Sequence, residues 1–194
     1  MKYATRFGFA VLTLMSAYSA QAAPIQWTSG AGGNDHFYEF VTSNLTWDNA
    51  RAGALASTFS GMNGYLVTIT SAAENAFLLG LSNDGWIGAT DSLVEGEWIW
   101  ADGPEANTMF WLGGIGGSAV GGNYSSWNGG EPNNLGNEDY AHLNNGNWND
   151  LTASHTRSGY FVEYSQAASV PAPATLWLLI PGLIGVFGLR KNGA

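Results

Sequence analysis

Apolar residues recur along this chain first at helical spacing and then at strand spacing, and the change falls near Gly85. A run from Phe37 to Thr42 reads as a short opening strand. Behind Thr46, whose side chain suits an N-cap, Trp47, Ala50, Ala54 and Leu55 repeat on one face and predict a helix ending near Phe59. Tyr65 to Ile69 reads as a strand. Ser71-Ala-Ala-Glu74 has the capping-box spacing, in which the serine and the glutamate each satisfy an orphan amide, so a second helix carrying Phe77, Leu78 and Leu81 should start there. Beyond Gly85 the pattern is strands and loops: Trp86 to Ala89, Trp98 to Trp100, a Gly/Asn/Ser-rich stretch to Gly130, and a closing strand from Tyr160 to Tyr164. Helices early and short strands late predict one α+β domain over residues 26–164, two helices packed with antiparallel strands.

The late segment is long for a compact domain. Roughly forty residues with little regular structure signify function or disorder. Five tryptophans between Trp98 and Trp148 argue against disorder, because burying such rings is strongly favourable. For Trp98, Trp100, Trp127 and Trp148, core packing is the preferred role over stacking on a ligand.

The two ends have their own patterns. Lys2 and Arg6 precede an apolar run from Phe7 to Ala20, and Ala20-Gln-Ala22 supplies a small-x-small cleavage site, so residues 1–22 read as a secretory signal peptide. Ser165 to Pro173 reads as a linker. It leads into an apolar segment, Ala174 to Leu189, and the basic pair Arg190-Lys191. That segment falls just short of the roughly 17 to 25 residues of a spanning helix, so it reads as a tail anchor that makes a marginal or transient transmembrane span before processing, with the basic pair on the cytoplasmic side. Pro181, Gly182, Gly185, Gly188 and Gly193 weaken the alternative of a buried core helix. Val170-Pro-Ala-Pro173, the hydrophobic stretch and the basic finish together resemble the PEP-CTERM sorting tail, with Ala172 where glutamate is commoner. The resemblance implies that an exosortase removes the tail in a Gram-negative bacterium and leaves the protein outside the cell.

Charge sharpens this picture. Fifteen acids face only six basic residues in the whole chain, a net charge of -9. Without the two ends only Arg51 and Arg157 remain against all fifteen acids, so the domain carries about 2 − 15 = −13. Such a surface repels nucleic acid and anionic lipid and attracts divalent cations. The absence of cysteine excludes thiol catalysis and zinc thiolate sites, and a domain of this length can hold together on its core without disulfides.

The candidate chemistry lies between Glu131 and Asp150. Glu131, Asn133, Glu138, Asn149 and Asp150 alternate acids with amides in an Asn- and Gly-rich loop. Calcium takes six to eight hard oxygen ligands, which these side chains carry, and a neighbouring amide can donate to a ligand hydroxyl while the acid accepts from it. A solvated loop of ordinary turn residues accounts for the same composition. A glycosidase pair of Glu131 and Glu138 is disfavoured, since calcium ligands must be ionised and a general acid must hold its proton. No nucleophile elbow or Ser-His-Asp order is present, and catalysis is not expected. His36, His142 and His155 are scattered without metal-ligand spacing and read as surface or partly buried polar residues.

These motifs, in order, resemble the C-type lectin-like domain. The match runs from Phe37 to Tyr164 through Leu45-Thr-Trp-Asp-Asn-Ala50, Gly64-Tyr-Leu-Val-Thr-Ile69, Trp86-Ile-Gly88, Trp98-Ile-Trp-Ala-Asp-Gly103, Glu131-Pro-Asn133, Trp148-Asn-Asp150 and Gly159-Tyr-Phe-Val-Glu-Tyr164. The resemblance implies a long calcium-binding loop region and a principal Ca²⁺ site formed by Glu131, Asn133, Glu138, Asn149 and Asp150. Glu131, Asn133, Glu138 and Asn149 would also bond the sugar. It implies a usually cis Glu131-Pro132 bond, and mannose-type sugars with equatorial vicinal hydroxyls. Glu138 comes one residue earlier than the family spacing. An auxiliary calcium site is implied at Asp91, Glu95, Asn134 and Asp139, with Asn134 where aspartate is usual. The family's disulfide cysteines are absent: Ala54, Val162, Tyr140 and Ala153 stand at those places and are expected to pack. The implied partner is carbohydrate, an exopolysaccharide in the matrix of the cell or its neighbour. The competing reading is a protein-binding surface domain in which calcium only stabilises the loop.

Overall fold

The computed structural model describes residues 22–166. The expected signal peptide, apart from Ala22, and the sorting tail lie outside them. Among the described residues no helix is long and apolar enough to cross a membrane.

Eleven strands and two helices form an α+β domain. A short strand β1 (Ile25–Gln26) pairs with β2 (Phe37–Leu45), which runs into helix α1 (Trp47–Ala56). A hairpin of β3 (Thr58–Phe59) and β4 (Met62–Leu66) leads to α2 (Ala72–Leu79). Then come β5 (Asp84–Thr90), β6 (Glu97–Trp100), β7 (Met109–Leu112), β8 (Ser118–Ala119), β9 (Tyr140–Asn144), β10 (Asn147–Leu151) and β11 (Arg157–Tyr164). The main path of the sheet is β1-β2-β11-β5-β6-β7-β8, with the β9–β10 hairpin attached through β5. All strand pairings are antiparallel except β11 with β5, which meet in parallel at Tyr160 and Trp86.

Strand alternation divides the core. Along β11, Tyr160, Val162 and Tyr164 face Trp47, Ala50 and Ala54 of α1 together with Leu66 and Trp86. Phe161 points the other way, to a core of Val67, Leu78, Ile87, Trp98, Trp100, Phe110 and Trp148. Both faces of β11 and β5 are covered, which is why their sequences read as near-continuous apolar runs. Trp98, Trp100 and Trp148 are core residues as expected, and Trp127 packs edge-on against Trp98 and Trp148.

Several local expectations are corrected. Helix α1 ends at Ala56, not near Phe59, because Ser57 turns extended and Ser60-Gly61, both at positive φ, fold Thr58–Phe59 back onto Met62–Asn63. Thr46 occupies the N-cap, but its hydroxyl accepts from the Asn49 side chain instead of a helix amide. Ser71 does accept from Glu74 N–H at 3.1 Å. The reciprocal half of the box is diverted, since the Glu74 carboxylate accepts from the amide and hydroxyl of Thr70. The fourth strand starts at Met62 and its ladder ends at Leu66, earlier than the expected Tyr65–Ile69. The late segment is more regular than expected: β7, β8 and the β9–β10 hairpin lie inside it. Among the cysteine-equivalent places, Ala54 and Val162 pack in the core and Tyr140 packs on Trp47, whereas Ala153, expected to pack, is exposed.

Two histidines are also better partnered than their spacing suggested. His142 is buried on β9 with Nδ1 2.9 Å from Asp84. His36 lies 2.6 Å from Glu163, a buried carboxylate that also accepts from the Thr68 amide. Distant chain segments supply both acids, so sequence spacing carried no sign of either pair.

Candidate functional site

The β9–β10 hairpin sets the floor of the site. Asn145 and Gly146, both at positive φ, make its tight turn, a conformation that asparagine and glycine adopt most readily. The register then pairs Asp150 with Ala141 and Trp148 with Leu143. Alternation sends Trp148 and Asp150 inward and leaves Asn149 half-buried on the other face. Asp150 thus reaches a fully buried position beneath the loop that follows the Glu131–Pro132 bond, which is cis.

Asp150 gathers that loop. Its Oδ1 accepts from Asn133 N–H at 3.2 Å and its Oδ2 from Asn134 N–H at 2.8 Å. The Asn133 side-chain amide donates to Glu131, and its Oδ1 accepts from Leu135 N–H at 2.7 Å. Leu135 N–H also donates to Glu138 Oε2 at 3.1 Å, while Glu138 N–H returns to Asn134 Oδ1 at 2.7 Å. The Asn149 side-chain amide donates to the Asp150 carbonyl. All five residues expected at the principal site therefore belong to one hydrogen-bonded constellation, although Asn149 and Asp150 come from a strand and not from the loop. The main-chain amides of Asn134 and Leu135, which bind it together, were invisible as site components in the sequence. Their only signal was the turn composition Asn134-Leu-Gly-Asn137.

Electrostatics shows what this constellation lacks. Burial, the bond to Asp150 and the repulsion of its charge push the Glu131 carboxyl up to about 7. Burial and Asp150 also raise Glu138, with the Leu135 amide and then His155 offsetting part of the effect. Glu131, Glu138 and Asp150 are linked through the amides of Asn133, Asn134 and Leu135, with no cationic side chain among their bonded partners, and the amide oxygens beside them are hard donors as well. That donor set fits calcium. Among the described residues, no three His, Cys, Asp or Glu side chains are grouped for a metal ion. The carboxylates here are turned onto loop amides, so the arrangement is a folded loop with the right donors, not a finished cage.

The residues of the auxiliary set divide. Asp91 is buried, its Oδ2 accepts from Gly96 N–H at 2.9 Å, and its Oδ1 is buried without a partner. Burial, followed by the charges of Glu95 and Asp139, pushes it up to about 7. Its N–H donates to the Asp139 carbonyl at 3.2 Å, which holds the two segments together. A buried carboxylate oxygen with no donor suits a cation. Asn134 belongs instead to the principal constellation, where its side-chain oxygen is occupied by Glu138 N–H.

Comparison with known proteins agrees with this architecture. The family model described as Lectin C-type domain matches residues 43–162. The chain is similar to halomucin of Haloquadratum walsbyi, 39% identical over 132 residues, which are 66% of this chain and 1% of that protein. It is similar to hepatic lectin of Gallus gallus, 34% identical over 122 residues, 61% of this chain and 50% of that protein. The matched segment thus spans half or less of these two relatives. Among solved structures it is similar to the C-type lectin CEL-I from Cucumaria echinata, with 31% identity and a TM-score of 0.52, covering 69% of this chain and 92% of that one. It is also similar to the cow CD23 C-type carbohydrate-recognition domain solved in the presence of GlcNAc2Man3 oligosaccharide, with 25% identity and a TM-score of 0.54, covering 77% and 98%. On the family match across most of the domain, this chain belongs to the C-type lectin domain family.

Proposed function

We propose that this domain is a calcium-dependent carbohydrate-binding module for mannose-type sugars, acting on polysaccharide outside the cell. The observation that carries the reading is the assembly of Glu131, Asn133, Glu138, Asn149 and Asp150 around one buried carboxylate, with excess negative charge and no cationic side chain to balance it. Glu131, Asn133, Glu138, Asn149 and Asp150 would hold the ion. When bound, calcium supplies coordination places for two vicinal hydroxyls. The carboxylates of Glu131 and Glu138 then accept from those hydroxyls, and the amides of Asn133 and Asn149 donate to them. The carbohydrate-recognition domain of cow CD23, with its oligosaccharide, supports sugar as the ligand class. One shallow site of this kind binds a monosaccharide weakly and gains affinity from repetition along a polymer. A binding role, without catalysis, follows from the ionised state that calcium requires of these acids.

A second reading has an observation in its favour. Asp150 and Glu138 accept from loop amides, so calcium on these residues could serve only to fix the loop of a protein-binding surface. Calorimetric titration separates the two. The expected result is heat from Ca²⁺, then heat from mannose that vanishes in excess EGTA. Calcium binding with no response to mannose establishes the second reading instead.

The ends of the chain complete the proposal. Residues 1–22 direct export across the inner membrane of a Gram-negative bacterium, and an exosortase removes the tail marked by the Val170-Pro-Ala-Pro173 motif, leaving the domain secreted or on the cell surface. The intact mass of the surface-released protein tests this, since an uncut tail would leave the full hydrophobic segment in place.

A further inference from the structure

Apolar side chains are unevenly exposed on this domain. Five of the eight large apolar residues exposed among the described residues, Leu93, Val94, Leu112, Ile115 and Leu135, lie on three loops or their edges. Those loops are contiguous. Gly113 N–H donates to the Gly96 carbonyl at 2.8 Å, which joins the β5–β6 and β7–β8 connections. A Cβ on Gly114 would stand 3.4 Å from the Pro132 carbonyl, which seats the β7–β8 loop against the Glu131-Pro-Asn133 segment. Leu135 is tied to the site directly, because its N–H donates to both Asn133 and Glu138.

The rim is built, not loose. The Trp111 indole N–H donates to the Gly113 carbonyl at 2.8 Å, and Gly117 N–H to the Gly114 carbonyl at 2.9 Å, so Ile115 is held out at 69% exposure on a braced turn. Leu93 and Leu135, at 78% and 77%, are exposed on the two loops that this turn touches through Gly96 and Pro132. Aliphatic residues make up this rim, and Trp111, the aromatic residue nearest in sequence, is engaged beneath the loop. A bare hydroxyl-covered sugar offers such side chains little, since its CH faces are favoured by aromatic rings. Methyl-bearing substituents are what aliphatic groups can bury, at roughly fourfold in affinity per methyl. The domain's excess of acids disfavours an anionic lipid surface as occupant.

We propose that the loops around Ile115, Leu93 and Leu135 form an apolar rim that selects polysaccharides carrying O-acetyl groups next to the vicinal hydroxyls bound at the principal site. This rests on the calcium-dependent sugar reading and narrows its substrate class. The rim adds affinity for the substituent, and the acid and amide constellation holds the diol.

The test uses one polymer in two forms, a lightly O-acetylated mannan and the same mannan after alkaline removal of its acetyl groups. Binding of each to the purified protein is measured with saturating Ca²⁺ and in EGTA, for the wild type, Ile115→Ser and Leu93→Ser. Expected is about three- to tenfold tighter calcium-dependent binding of the acetylated form, with the difference lost in the variants and affinity for the deacetylated form unchanged. Equal calcium-dependent binding of both forms by the wild type would overturn the rim while sparing the sugar reading. Binding of neither form would overturn both. Calcium-driven dimerisation in sedimentation that disappears in Ile115→Ser would assign the rim to a second copy of the chain and overturn the proposal.

Discussion

Asp150 combines two roles in one side chain. Its oxygens hold the amides of Asn133 and Asn134, and the reading proposed above also makes it a calcium ligand. Asp150→Ala should therefore cost about 1–3 kcal/mol even in chelator, because two loop amides lose their acceptor, and should abolish the response to calcium. Asn149→Ala should abolish much of the calcium response at smaller cost in chelator, since only one side-chain amide contact is lost. Urea denaturation with and without Ca²⁺ separates these effects. Glu131 makes a pH prediction. In the folded protein its carboxyl holds a proton up to about 7, above an unfolded value of roughly 4.3. Its contribution is thus complete below the unfolded value and is lost as pH rises through about 7. In chelator the protein should melt at a lower temperature at pH 8 than at pH 5.5, and Glu131→Gln should shrink that difference. Asp91, also held up to about 7, and His36, raised chiefly by its bond to Glu163, have the same sign, so part of the slope should survive the substitution. Saturating calcium should oppose the slope, because it favours the ionised acids.

Among the elements, the β9–β10 hairpin and its attachment to β5 decide whether the site exists. Trp148 is fully buried between Trp100, Phe110, Tyr124 and Trp127, and its indole N–H donates to Asn75 at 2.8 Å. Trp148→Ala should cost about 3–5 kcal/mol and weaken calcium binding, since Trp148 and Asp150 share the inward face of β10. Gly88 on β5 permits a close approach of a different kind. Its N–H donates to the Val67 carbonyl, and a Cβ there would lie 2.6 Å from the Leu66 carbonyl. Gly88→Ala should cost about 1–3 kcal/mol in denaturant unfolding and leave calcium affinity of the folded protein nearly unchanged. Element type was legible wherever apolar periodicity was strong, as in α1, α2, β5 and β11. It failed where pairing is set by remote partners. Thr58–Phe59 looked like the end of a helix until the Ser60-Gly61 turn returned the chain, and β9 and β10 hid among asparagines and glycines whose strand character comes from β5 beside β9 and from β9 beside β10.

For the molecule as a whole, calcium and the missing disulfides meet in one prediction. The domain has no cysteine, and its fifteen acids outnumber its basic residues. At a calcium concentration of about a hundred times Kd, binding adds roughly 2.7 kcal/mol, so chelation should lower Tm by about 5 to 10 °C for a domain of this size. A melting curve that chelator does not move would remove the metal from the account. The order of helices and strands, the acidic character, and the five residues proposed for the site could be picked out along the chain, because periodicity, composition and the local motifs that carry the family resemblance are properties of neighbours in sequence. Their convergence could not. Asp150 beneath Asn133, Glu163 beside His36, Asp84 beside His142, and the adjacency of Gly114 to Pro132 join residues brought together by strand pairing and loop packing. Such contacts depend on register and on which face each side chain takes, and these are fixed when the sheet closes around its two cores.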